Sequence, residues 1–161
     1  MKETPFLVRN EALVVRIREI PALSLFEDEV LLELLTLSKM RHYEAGEVIF
    51  KEDTYDLWIY FLICGQVRLT REGRHLRDLR RRGDVFGEMS IIDGAPRSAT
   101  ATAVKECDLL AVDASLLDRL DAKSHTAFHY VLYRFFSELL AERLRDTNAE
   151  LVKLKKQLRV P

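Results

Sequence analysis

The sequence predicts an α+β fold: an antiparallel β-roll (a double-stranded β-helix or jelly roll) flanked by N-terminal helices and a long C-terminal helix. Between residues 40 and 113, short apolar or alternating runs are separated by glycines at intervals typical of an antiparallel roll. Apolar residues recur at helical spacing in residues 27–38, and residues 126–158 contain neither glycine nor proline. We expect a single domain with an N-terminal helical segment (1–39), a β-roll core (40–113) and C-terminal hinge and dimerisation helices (114–161).

Composition narrows the class of protein. The chain has 161 residues, which suits one domain with its own core. Its net charge of -1 argues against a whole-surface attraction to nucleic acid or membranes. No apolar run approaches the ~20 residues that span a bilayer, and the first residues lack the apolar stretch of a secretion signal. We therefore expect a cytoplasmic protein.

Two helices are predicted before the roll. Asn10 can cap a helix that begins at Glu11 and ends before Pro21. A second helix is predicted over Glu27–Ser38, with acidic residues in its first turn that suit the helix dipole. Its apolar face comprises Val30, Leu31, Leu34 and Leu35.

The strands of the roll follow. Leu57–Ile63 is apolar or aromatic nearly throughout and is predicted to be a central buried strand. Gln66–Thr70 and His75–Leu79 are predicted to form a hairpin. Cys64 and Cys107 lie in apolar runs and are expected to be buried free thiols. The strands predicted to close the roll are Ala99–Val104 and Asp108–Val112.

Two helices are predicted after the roll. Asp113 can cap a short helix over Ala114–Leu120, and a long helix is predicted over Thr126–Leu158. The long helix carries an apolar seam spaced 4, 3, 4, 3, 4, which is typical of a coiled coil and predicts a parallel homodimer. The alternative is a single helix that lies back on its own domain. The seam comprises Leu140, Leu144, Thr147, Leu151, Leu154 and Leu158.

The stretch Gly83–Ala99 combines groups suited to a phosphorylated sugar. Gly87 lets the backbone approach a ligand because it has no Cβ. Glu88–Ile92 can form a helical turn whose free N–H groups attract anions. The Arg97 guanidinium can grip a phosphate through two parallel hydrogen bonds, and an ionised Glu88 can accept from a sugar hydroxyl.

This stretch resembles the phosphate-binding cassette of cyclic-nucleotide-binding domains, whose pattern is roughly F-G-E-x-x-(several)-P-R-[S/T/A]-A. The residues that fill it are Phe86, Gly87, Glu88, Pro96, Arg97, Ser98 and Ala99. Tyr43–Ile49 resembles the family's first hairpin and Tyr60–Val67 its central strand pair. The resemblance runs from about Leu25 to Leu154. Asp53 departs from it, because the family usually has glycine there.

The resemblance implies a cyclic-nucleotide receptor rather than an enzyme, with cyclic AMP or cyclic GMP as ligand and no metal. It implies that Arg97 binds the cyclic phosphate and Glu88 the ribose 2′-hydroxyl. Ser98 does not distinguish between adenine and guanine as the base of the ligand. Thr147 and Asn148 resemble a helix segment that meets the adenine edge in the catabolite-activator type, which favours cyclic AMP. The implied ligand-binding set is Phe86, Gly87, Glu88, Met89, Ser90, Arg97, Ser98, Ala99, Thr147 and Asn148.

Several alternatives stay open at this point. A lapsed domain could act as a protein-interaction module, with Glu88 paired to Arg97. The chain could be a stand-alone dimeric sensor that acts on an effector protein, or the sensor fragment of a transcription regulator without its DNA-binding domain. The arginine cluster between Arg74 and Arg82 is typical of a solvated hairpin, but it could also dock an acidic partner or a larger anion. His125 and His129 share a helical face without a third ligand, so zinc is not expected.

Overall fold

The architecture was analysed on a computed structural model, which describes residues 1–21, 23–119 and 122–158. Within these residues, seven antiparallel strands form a sheet in the order β1-β2-β7-β4-β5, with β3 paired to β7 and β6 paired to β4. In the same described ranges, four α-helices accompany the sheet, including a long one at the C-terminal end. The predicted α+β fold with an antiparallel β-roll is therefore confirmed.

The N-terminal helices are close to their predicted positions. Helix α1 spans Glu11–Ile17, and the Asn10 side chain caps it by accepting from the backbone N–H of Leu13 at 3.2 Å. Helix α2 spans Asp28–Thr36. It ends earlier than predicted because Ser38 already begins strand β2.

Two of the strands are longer than the glycine spacing suggested. They are β1 Lys2–Glu3, β2 Ser38–Tyr43, β3 Val48–Phe50, β4 Trp58–Arg71, β5 Arg74–Leu79, β6 Val85–Phe86 and β7 Thr100–Asp113. The predicted hairpin is confirmed as β4 and β5. The runs Ala99–Val104 and Asp108–Val112, predicted as two strands, belong to the single strand β7. Likewise, β4 continues through Gly65 instead of stopping at Ile63.

Gly65 explains why β4 can continue. Its φ is +99°, and a Cβ there would lie 2.4 Å from the Cβ of Cys107 on β7. The β4–β7 register shifts on both sides of this point, so the long strands bend together instead of breaking. The segment Tyr43–Ile49 is not a simple hairpin either, because the strands on both sides of its turn pair with β7.

Two apolar clusters fill the interior. One joins the helices to one face of the sheet, and the other lies inside the roll around Tyr60 and Phe86, whose rings stack at 5.1 Å. Cys107 is buried in the second cluster, and burial raises the pKa of its thiol to about 11. The expectation that Cys64 is buried is wrong: its side chain is exposed, and the residue lies where the register between β4 and β7 shifts.

The C-terminal region begins with a 3₁₀ helix over Ala114–Arg119, and Asp113 caps it by accepting from Ser115 N at 3.0 Å. Leu120, the predicted end of this helix, lies outside the described residues. Helix α4 spans Ala122–Gln157 and so begins earlier than predicted. Its first half buries Leu132 and Phe136 against the core.

From residue 144 to residue 158 every side chain is exposed, including five of the six residues of the predicted seam, whereas Leu140 is half-buried. Leu144 is 61% exposed and Leu158 is 73% exposed. Within the described ranges, no helix combines the length and the apolar character needed to cross a bilayer.

Candidate functional site

The stretch singled out in the sequence forms the wall of a pocket in the roll. Strand β6 enters it, Gly87 turns the chain, and helix α3 (Met89–Asp93) leaves it. Gly87 has φ +84°, and a Cβ there would lie 2.6 Å from Arg97 Nη1 and 2.9 Å from the Trp58 carbonyl oxygen. Glycine is thus required at this position, and the group that approaches the backbone is the guanidinium of Arg97.

The Arg97 side chain is buried and donates hydrogen bonds from all three of its nitrogens. It is 1% exposed. Nε donates to Asp56 Oδ2 at 3.0 Å, and Nη2 donates to Asp56 Oδ1 and, at 2.6 Å, to the Trp58 carbonyl. Nη1 donates to the Gly87 carbonyl at 2.6 Å. The buried charge of this guanidinium is therefore matched by a carboxylate of the protein itself, that of Asp56.

The loop that carries Asp56 also holds the Arg97 backbone. Arg97 N donates to the Thr54 carbonyl at 2.8 Å, and Asp53 N donates to the Arg97 carbonyl at 2.9 Å. Asp53 has φ +62°, the left-handed region in which glycine is favoured. The departure from the family pattern at this position therefore keeps the loop shape, since aspartate tolerates this conformation better than most residues.

Glu88 is the second buried charge of the pocket. It is 1% exposed, and its Oε1 accepts from Arg143 Nη1 on α4 at 2.5 Å. Arg143 Nη2 also donates to the carbonyl of Val85 on β6. Sequence reasoning missed the role of Arg143, although this residue lies one helical turn before Thr147, which was compared with the family's helix.

The pocket is small, with a cavity volume of about 60 Å³. Eight of the ten predicted ligand residues line it: Phe86, Gly87, Glu88, Met89, Ser90, Arg97, Ser98 and Ala99. Phe50, Leu69 and Arg143 line it as well, and the Arg97 guanidinium carbon lies 4.3 Å from the centre of the Phe50 ring. The structure does not bring Thr147 and Asn148 to the pocket of their own chain, because both are exposed one turn beyond Arg143.

Several members of the arginine cluster between Arg74 and Arg82 form ion pairs with acidic side chains. Asp78 accepts from Arg68 Nε at 2.8 Å and from Arg80 Nη2 at 2.8 Å, and Arg77 pairs with Asp146 of α4 at 3.0 Å. This arrangement fits a solvated hairpin better than an anion site. Among the residues that the structure describes, no group of three or more histidine, cysteine or acidic side chains is placed to hold a metal ion.

Fold and pocket together define a β-roll domain in which a buried arginine, Arg97, and a buried glutamate, Glu88, line the same cavity beside Gly87. The family described as "Cyclic nucleotide-binding domain" matches residues 40–124. The cyclic AMP receptor protein of Thermus thermophilus is 34% identical over 127 residues, which cover 73% of this chain and 54% of that protein. The chain therefore belongs to the cyclic nucleotide-binding domain family.

Solved structures agree with this membership. The Thermus thermophilus catabolite activator protein superposes with a TM-score of 0.65 at 31% identity, covering 84% of this chain and 63% of that one. A cyclic nucleotide-binding domain from Methylobacillus flagellatus has a TM-score of 0.73 at 18% identity, covering 87% and 85%, and shows the shared fold. The chain spans about half the length of the curated relatives it matches.

Proposed function

We propose that the pocket binds a cyclic purine mononucleotide, cyclic AMP in preference to cyclic GMP, and that occupancy is transmitted through α4 to an effector. One observation carries the proposal: Arg97 and Glu88, each 1% exposed, line the same pocket with opposite charges. The named relative, a cyclic AMP receptor protein, supports cyclic AMP as the ligand.

In the proposed complex the cyclic phosphate lies against the Nη1 edge of Arg97. Asp56 occupies the opposite edge of the guanidinium, and one Nη1 hydrogen has no acceptor among the described residues. Backbone N–H groups at Gly87, Glu88 and Ala99 complete the cradle for the anion. Glu88 accepts from the ribose 2′-hydroxyl, beside its contact with Arg143.

Calorimetric titration with cyclic AMP tests the phosphate assignment. Arg97→Gln should weaken binding at least thirtyfold, roughly the 2 kcal/mol minimum for removing one half of a buried charged pair. Arg134→Gln is a matched control, because Arg134 is exposed, pairs with Glu138 on α4 and is not among the residues that line the pocket. An unchanged dissociation constant for folded Arg97→Gln would refute the assignment.

The ribose assignment is tested by pairing a variant with a ligand that lacks the same hydroxyl. Wild type should prefer cyclic AMP over 2′-deoxy cyclic AMP by about tenfold or more, since hydrogen bonds to charged groups are worth ~1.5–3 kcal/mol. Glu88→Gln should lose most of this preference. A preference that survives the substitution would place the sugar elsewhere.

We further infer that the chain forms a parallel homodimer along α4. The proposal rests on four seam leucines that are 48% to 73% exposed: Leu144, Leu151, Leu154 and Leu158. Apolar residues at heptad spacing on a helix that has left its own domain are typical of a two-stranded coiled coil. In such a dimer, movement of α4 at Arg143 would reach both subunits.

A further inference from the structure

The N-terminal residues form a strap across one edge of the roll. Strand β1 pairs with β2, and beyond it Thr4 N donates to the Met40 carbonyl at 3.0 Å and Leu7 N donates to the Ser38 carbonyl at 2.8 Å. The Glu3 carboxylate accepts from Lys39 at 2.8 Å and from Arg41 at 2.9 Å. We call residues 2–7 the N-terminal strap.

The strap reaches the phosphate side of the pocket through one aromatic contact. The Phe6 ring stacks on the Trp58 ring with 6.3 Å between centroids and 15° between planes. On the same indole, the Arg41 guanidinium lies 3.9 Å from the ring centre. Phe6 is itself 40% exposed, so its burial in the core does not explain its placement.

Trp58 connects this stack to Arg97 through its backbone. Its carbonyl accepts from Arg97 Nη2 at 2.6 Å, and its N–H donates to Asp56 Oδ1 at 3.1 Å. Asp56 in turn grips the Nε edge of the same guanidinium. The peptide groups on both sides of Trp58 and the Asp56 side chain therefore fix the plane in which Arg97 presents Nη1 to the pocket.

We propose that the N-terminal strap, through the stack of Phe6 on Trp58, positions the Arg97 guanidinium for an anionic ligand. The proposal rests on the proposed function for its ligand, but the coupling between strap and guanidinium is a property of the protein alone. Phe6 and Trp58 are positioning residues, because neither side chain lines the pocket. By linkage, docking of the strap and binding of the anion must favour each other by the same factor.

The first experiment uses no nucleotide. Hydrogen exchange of the Thr4 and Leu7 amides reports whether the strap is docked, and the emission of Trp58, the single tryptophan of the chain, reports the stack. Arg97→Gln should lower protection of both amides about fivefold, the lower end of measured couplings, and shift the emission. Protection of the Leu110 amide in the core should stay unchanged. Arg134→Gln is the control.

The second experiment measures cyclic AMP affinity. Phe6→Ala should weaken binding about fivefold, Phe6→Tyr should restore it because the ring is kept, and Val8→Ala should have no effect. Val8 follows the strap and is 71% exposed. Saturating cyclic AMP should raise the hydrogen-exchange protection of the Thr4 and Leu7 amides. The factor should equal the factor by which Phe6→Ala weakens cyclic AMP binding.

The two experiments separate two failures. Unchanged strap protection and Trp58 emission in folded Arg97→Gln would overturn the coupling, whether or not any nucleotide binds. Wild-type affinity in Phe6→Ala would overturn the positioning role. Absence of cyclic AMP binding to the wild-type protein would contradict the proposed function instead, and the first experiment would still decide the coupling.

Discussion

Arg143, on the C-terminal helix, donates to the buried carboxylate of Glu88 at 2.5 Å, although the two residues are 55 positions apart. The same guanidinium donates to the Val85 carbonyl, so α4 is attached to the pocket wall at two points. The carboxylate in the pocket wall and the guanidinium on the helix are therefore charge partners. In the proposed function, this pair would connect occupancy of the pocket with the position of α4.

Arg143→Gln should lower the free energy of unfolding by about 3 kcal/mol, because breaking a buried pair leaves an uncompensated charge. The double variant Glu88→Gln/Arg143→Gln should recover part of this loss, since neither charge then stays alone. Urea unfolding of the wild type, both single variants and the double variant measures the coupling. Strictly additive losses would mean that the two side chains do not stabilise each other.

Gly87→Ala should disturb the protein more than an alanine at another left-handed glycine. Both Gly87 and Gly73 have positive φ, at +84° and +72°, so both variants carry the backbone strain of about 1–2 kcal/mol. Only at Gly87 would the new Cβ collide with Arg97 and Trp58, whereas nothing lies within 4 Å at Gly73. Thermal unfolding and cyclic AMP titration of both variants should show a larger loss of stability and of affinity for Gly87→Ala than for Gly73→Ala. Equal effects would contradict the crowding around Arg97.

Charge reversal tests the parallel register of the proposed dimer. With the seam residues at heptad positions a and d, Glu150 falls at position g and Lys155 at position e of the next heptad. Lys155→Glu should shift the monomer–dimer equilibrium toward monomer, and Glu150→Lys/Lys155→Glu should restore the dimer. Light scattering across a concentration series measures this. If the double variant dimerises no better than the single one, the helices do not pair in this register.

Acid should weaken the β4–β5 hairpin through Asp78. Hydrogen bonds from Arg68 and Arg80 hold the pKa of this carboxyl well below its ordinary value of 3.8. Its stabilising contribution is therefore complete above that value and is lost as pH falls toward the lower native pKa. Urea unfolding from pH 5 to pH 2 should show a shallower loss for Asp78→Asn than for wild type. Asp146→Asn, at an exposed carboxyl, is the control and should lose stability with pH as the wild type does. If the free energy of unfolding of Asp78→Asn falls with pH as steeply as that of the wild type, the prediction is wrong.

The sequence was most informative where structure is local. The glycine turn, the helix after it and the arginine lie within seventeen residues, so their spacing alone indicates a pocket wall. The partners of the two buried charges could not be inferred that way. Asp56 is 41 positions from Arg97, and Arg143 is on a helix whose docking depends on the whole roll.

Strand boundaries were misjudged for a related reason. Glycine usually ends a strand in a sequence pattern, but Gly65 bends β4 against Cys107 and lets it continue. The opposing strand β7 bends with it, so two predicted strands became one. The pairing across the sheet, which brings Cys64 opposite Asp108, reveals that Gly65 marks a bend and not the end of a strand.

Beyond Arg143, helix α4 continues for about fourteen residues, a rod of ~21 Å at 1.5 Å per residue. A tilt of roughly 10° about that point would swing the far end by about 4 Å, computed from the same rise per residue. Displacements well below an ångström at the carboxylate would thus be magnified severalfold at the tip. For a given tilt, the displacement of the far end would scale with the length of this part of α4. Shortening it by two turns should nearly halve that displacement.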